Sequence, residues 1–268
     1  MGGEREYRSG RNGPLLPGAE HVAPPTCYRC PYGYPERDGR PVLELCHMTC
    51  ASFVRYVLEK EGDVAAVIAE PVRSTAYVPP PGFWAEVRAA CDAHGALLVF
   101  DEVANGLGKT GRLFAFEHFG VVPDLVVLGK ALGGGILPLA AVIARRDLDV
   151  AGDLSIGHFT HEKNPLCARA GLTTLEILEA EGLVERAERL GAWALERLRE
   201  LGRRHRLVGD VRGLGLRLAV ELVRDRTTKE PAREAAAEVA MLALARGLNF
   251  SVGGEDRKST RLNSSHRL

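Results

Sequence analysis

Neither sign of charge predominates in this 268-residue chain: Lys plus Arg and Asp plus Glu each number 35, so the formal net charge is zero. That balance gives no global pull toward nucleic acid or an anionic membrane surface, and neither is expected as a partner. Long hydrophobic runs are missing too. No stretch approaches the roughly 18 apolar residues of a membrane span, and the N-terminal MGGEREYRSGRNG has no apolar centre of the kind a signal peptide needs. The chain is therefore read as cytoplasmic, with its six cysteines as reduced thiols and not a disulfide framework.

What is present suffices for a real core, since 46% of the residues are hydrophobic. Three apolar runs each end on an ionisable residue: AAVIA on Glu70, ALLVF on Asp101 and LVVLG on Lys130. Short runs rich in Val, Ile and Leu, separated by helix-like stretches, read as buried parallel strands. Ligands of such sheets sit beyond the carboxyl ends of the strands, so the three charges are expected to meet in one crevice. An aspartate and a lysine placed there suit pyridoxal 5'-phosphate: the lysine forms the Schiff base and the aspartate keeps the pyridine nitrogen protonated.

Along the chain, residues 1 to about 50 are rich in Gly, Pro, Arg and Cys and show no sustained period. Ala51 to Lys60 reads as helix, AAVIAE as strand, Pro79 to Gly82 as a turn, and Phe83 to His94 as an amphipathic helix closed by Gly95. After DEVANGLGKTG come a short helical piece, the strand to Lys130, a glycine cluster at 133–135 and the apolar run PLAAVIA. This alternation predicts an α/β fold with a mostly parallel sheet. From Pro165 to about Arg206 the apolar residues recur at helical spacing, and Ala168, Leu172, Leu175, Leu178, Leu183, Ala187, Leu190, Ala194 and Leu198 form an expected buried stripe. VGDVRGLGLRLAVELV alternates as a strand does, and Arg233 to Gly247 is again helical. The expected organisation is a partial large domain over 1–205, a partial small α/β domain over 206–255, and a polar tail over 256–268. That tail includes DRKSTRLNSSH, which reads like the in-frame translation of a sequencing adapter and is taken as non-native.

Gly108, Lys109 and Thr110 look like the end of a phosphate loop, but Gly-x-x-x-x-Gly-Lys-Thr would need glycine where Val103 stands. Such a loop also precedes its acidic strand, whereas here it follows. An ATPase is set aside on both grounds.

The ordered series AEPV (69–72), PPPGFW, LLVFDEVANGLGKTG, PDLVVLGKALGGGILPLAAVIA, FTHEKNP and VRGLGLRLAVEL resembles the class III pyridoxal phosphate aminotransferases. The resemblance covers about residues 10 to 255. It implies the type I aminotransferase fold, a homodimer with active sites at the subunit interface, and amino transfer from a small-molecule donor to a keto acid. It also implies roles. Lys130 matches the Schiff-base lysine and Asp101 the partner of the pyridine nitrogen; Val103 matches the apolar residue on the ring face. Thr160 matches the threonine that reaches the cofactor phosphate from the partner subunit, and Glu70 the glutamate that pairs with a substrate-binding arginine.

Departures from the family accompany these matches. Ala104 stands where several members carry glutamine, and Lys109 replaces the usual arginine. No upstream glycine and serine loop, no ring-stacking aromatic and no C-terminal substrate arginine can be assigned, so the chain is read as an internal fragment, expected to be inactive by itself. An aminomutase or racemase would use the same lysine and aspartate. Cys27, Cys30, Cys46 and Cys50 have spacing that suits zinc, which leaves a non-catalytic, zinc-clipped interaction domain as a rival; free thiols, with no metal, are the reading adopted.

Overall fold

The computed structural model describes residues 17–37, 40–41, 43–154, 157, 160–253 and 261–263. The N-terminal MGGEREYRSGRNG lies outside them, as does the polar tail apart from the backbone of 261–263. A short ribbon of β1 (Glu36–Arg37) and β2 (Arg40–Pro41) precedes the helices α1 (Leu43–Cys46) and α2 (Thr49–Glu61). The central sheet then follows the expected alternation. β3 (Ala66–Ala69), β4 (Leu97–Asp101) and β5 (Leu125–Leu128) lie side by side and parallel, and β6 (Ala141–Ala144) closes the edge antiparallel.

Between β3 and β4 runs α3 (Phe83–His94), which begins after the PPPG turn and stops at Gly95, whose left-handed φ of 68° lets its N–H bond back to the carbonyl of Cys91. Its buried residues, Phe83, Trp84, Val87, Ala90 and Cys91, share one face at helical spacing. That face packs on Leu98 and Phe100 of β4 and on Ala51, Val54 and Leu58 of α2. Trp84 does two things there. Its ring meets Phe100 edge-on at 4.7 Å, and its indole N–H donates to the Pro71 carbonyl at 2.9 Å, which fixes the chain just beyond Glu70. Asp124 ties the other side together by accepting from the Leu98 N–H and from Arg88 and Arg145.

The C-terminal part consists of α4 (Pro165–Ala180), α5 (Leu183–Arg204), β7 (Val208–Leu214), β8 (Arg217–Leu222), α6 (Arg233–Leu244), β9 (Ser251–Gly253) and β10 (Arg261–Asn263). Its sheet is antiparallel in the order β7, β8, β10, β9. VGDVRGLGLRLAVELV is thus a hairpin and not one alternating strand, because Gly215 at φ 52° turns the chain. β8 is buried along its whole length.

The stripe expected on α4 and α5 has the right period and only part of the burial. Ala187 is buried, and Leu178, Leu183, Ala194 and Leu198 are half-buried, whereas Ala168, Leu172, Leu175 and Leu190 are exposed. The cause is that each helix touches its neighbours along a narrow line. α4 meets Leu139 at Gly171, and α5 meets the hairpin at Gly191 and Leu198.

At Gly191 the helix approaches the hairpin so closely that a Cβ there would lie 2.1 Å from the Gly215 carbonyl oxygen. Helix propensity favours alanine over glycine by up to about 1 kcal/mol. Displacing backbone costs about 1–3 kcal/mol, so the clash wins. Gly191→Ala is expected to lower the urea midpoint, by about 1 kcal/mol or more in stability, while Gly152→Ala, which meets nothing within 4 Å, stays within about 0.5 kcal/mol of the parent.

Candidate active site

The parallel register pairs Ala69 with Phe100 and Asp101 with Val127. Glu70 and Asp101 are therefore level with each other on neighbouring strands about 4.8 Å apart, and Lys130 follows three residues past the level of Asp101 on the third strand. The three strand ends do lie side by side at one edge. Lys130 is exposed and opens a short 3-10 turn, Lys130–Gly133, with its own backbone at φ 44°. A non-glycine residue held in that left-handed region costs on the order of 1–3 kcal/mol, and such strain clusters where function fixes a side chain.

Beside Lys130 opens a cleft of about 1150 Å³. Val103, Ala104, Leu107, Leu137 and Leu216 form much of its wall, and among the described residues Lys109 and Lys130 are its only ionisable lining side chains. Val103 and Lys130 both line this cleft. Asp101 and Glu70 lie at the adjacent strand ends without lining the cleft, and Thr160, exposed in a turn, does not line it either.

Asp101 accepts the Val103 N–H at 2.9 Å, so the residue that walls the cleft also orients the carboxylate. Glu70 takes the N–H of Ser74 at 3.1 Å and its hydroxyl at 3.4 Å. Burial pushes the Glu70 carboxyl above its usual range, against the Ser74 N–H and the charge of Arg73, while Asp101 adds to the upward push. Two residues that the sequence reading passed over complete the frame. Arg217 is fully buried at the start of β8, donates to Asn105 Oδ1 at 2.8 Å and to the Ser74 carbonyl at 3.3 Å, and also bonds the Ala104 carbonyl. Asn105 in turn donates to the Val72 carbonyl. An arginine inside the apolar run LGLRLAVEL was the available signal.

The chain matches the family model described as aminotransferase class-III over residues 15–264. It belongs to that family. Similar solved structures include a Bacillus anthracis aminotransferase, 33% identical with a TM-score of 0.85, over 98% of this chain and 60% of that one. Curated relatives include the (R)-1-hydroxy-2-aminoethylphosphonate ammonia-lyase of Vibrio splendidus, 38% identical over 94% of this chain and 54% of the relative. The leucine/methionine racemase of Thermococcus litoralis is 42% identical over 87% of this chain and 52% of its own length. The class III chain thus spans about half the length of these curated relatives. The neighbours share the type I aminotransferase fold that the motifs implied.

The four N-terminal cysteines converge as well. Cys27, Cys30, Cys46 and Cys50 line one cavity of about 30 Å³ with Tyr32 and Tyr34, and burial pushes the Cys50 thiol up to about 11. None of the six cysteines forms a disulfide, and among the described residues no group of three or more His, Cys, Asp or Glu side chains is placed to hold a metal.

Next to Asp101, Glu102 is 1% exposed, accepts the Phe116 N–H at 2.9 Å through Oε1, and leaves Oε2 with no partner among the described residues. Burial raises its carboxyl from 4.5 to about 7. The folded protein therefore holds a proton that the unfolded chain releases between those values. The resulting stabilisation is complete below pH 4.5 and is lost as pH rises through about 7. Glu102→Gln, which cannot ionise, is expected to flatten this slope and to exceed the parent in stability above pH 7, by about 1–3 kcal/mol. Urea unfolding at acid and alkaline pH reads the difference; a gap between parent and variant that does not change with pH would show that Glu102 does not titrate there.

Proposed function

We propose that this chain contributes the lysine and the aspartate of a pyridoxal 5'-phosphate-dependent aminotransferase that moves an amino group from a small-molecule donor to a keto acid. The observation that carries the reading is Lys130: an exposed amine on strained backbone, at the mouth of an apolar cleft, one strand away from Asp101. The residues suit the cofactor chemically. Lys130 offers a primary amine for its carbonyl carbon, Asp101 a carboxylate for its ring nitrogen, and Val103 an apolar wall. When bound, pyridoxal phosphate supplies an electron sink for the charge left at the substrate carbon.

Asp101, oriented by the Val103 N–H, would hold the ring nitrogen protonated. Lys130 Nζ would hold the cofactor at its carbonyl carbon and, when free, would move the proton of the donor's α carbon, as base and then as acid. Thr160 would reach the phosphate from a second subunit, and Glu70, capped by Ser74, would lie beside the substrate. The complete protein is proposed to be a cytoplasmic homodimer, with this chain alone inactive.

A second reading has its own support, since two of the curated relatives are named as a racemase and an ammonia-lyase. The same lysine and aspartate serve it. Return of the proton to the opposite face of that carbon gives racemisation, whereas its return elsewhere leads to amino transfer.

Borohydride reduction of the complete, cofactor-loaded protein followed by peptide mapping is expected to place the label on Lys130, and a label on Lys109 or Lys163 would sink the assignment. Asp101→Asn leaves a neutral partner for the ring nitrogen. It is expected to slow α-proton removal by orders of magnitude at an unchanged thermal midpoint, and near-normal turnover in that variant would count against the cofactor reading.

A further inference from the structure

Lys109 has no role in the chemistry above, yet its surroundings are unusual for a cation. It sits in the segment Gly108 to Thr110 after β4, and its carbonyl is fixed by the Leu216 N–H at 2.9 Å. The side chain is half-buried and lines the same cleft as Lys130. No acidic side chain among the described residues lines that cleft, and none forms an ion pair or hydrogen bond with the Lys109 ammonium. Other cations do crowd it. Burial, then the charges of Arg217 and Lys130, hold the Lys109 amine below its usual range.

A half-buried ammonium repelled by two more cations, with no counter-charge among the described residues, is destabilised, and an anion entering the cleft would relieve both its desolvation and the repulsion. Direct contact between an oxyanion and an ammonium in an apolar wall is also stronger than the same contact in water. The remaining wall, leucine, isoleucine, valine, alanine, proline and glycine, supplies no competing acceptor side chain.

We propose that Lys109 is the anion-binding residue of this cleft, a subsite for a tetrahedral or planar oxyanion held beside Lys130. It rests on the cleft serving as the reaction site. Two sources share that chemistry, the phosphate of the cofactor and the acidic group of an amino substrate.

The test starts with inorganic phosphate, titrated against the protein at constant ionic strength and read by thermal shift. Phosphate is expected to raise the midpoint of the parent and of Lys109→Arg, and to bind Lys109→Met at least about tenfold more weakly. An equal response in parent and Lys109→Met overturns the proposal. Two arms on the complete protein then separate the sources. Weaker binding of pyridoxal 5'-phosphate to Lys109→Met, with binding of phosphate-free pyridoxal unchanged by absorbance, assigns the cofactor. A higher KM for acid-bearing amines alone, with cofactor binding unchanged, assigns the substrate; no change in either arm also overturns it. Borohydride labelling reports separately on Lys130, so failure of the cofactor reading is distinguishable from failure of the phosphate titration.

Discussion

The buried guanidinium of Arg217 is the tie on which the site's frame depends. From the first residue of β8 it reaches the Asn105 side chain and the carbonyls of Ser74 and Ala104. Those groups belong to the loops that follow β3 and β4, directly behind Glu70 and Asp101. One side chain thus joins the C-terminal hairpin to two strand ends of the central sheet. Taking an arginine out of water costs several kcal/mol, and burial lowers its pKa to about 10, with the charge of Glu70 opposing the fall. It stays protonated at neutral pH. Removing it would leave buried carbonyls without donors, a larger loss than the modest net value of the bonds themselves.

Much of the central sheet was legible because its signals are local. The PPPG turn, the apolar spacing from Phe83 to Cys91 and the stop at Gly95 delimit α3 without reference to the rest of the chain. Parallel crossovers then oblige AAVIA, ALLVF and LVVLG to end at the same edge, which made the neighbouring strand ends foreseeable, although of Glu70, Asp101 and Lys130 only Lys130 lines the cleft. What escaped the sequence is long-range or conformational. Arg217 and Asn105 are 112 residues apart, and nothing near either one names the other. The left-handed backbone of Lys130 has no glycine or asparagine to announce it. Periodicity placed a stripe on α4 and α5 but could not show how narrow their contact lines are.

Charge is sorted across the strand ends. The carboxylates of Glu70, Asp101 and Glu102 stand away from the cleft wall, each with a backbone N–H bonded to it, while the ammonium groups of Lys109 and Lys130 line the cleft. The acids are held by the frame. The cations are left to whatever enters.

Asp101 is oriented by the amide of Val103 and not by its side chain. Every amino acid except proline carries that amide. The side chain at position 103 is accordingly free to vary in bulk, and with it the shape of the cleft, while the carboxylate two residues earlier keeps its aim. The shape of the cleft wall and the aim of the acid are thereby decoupled at a single residue.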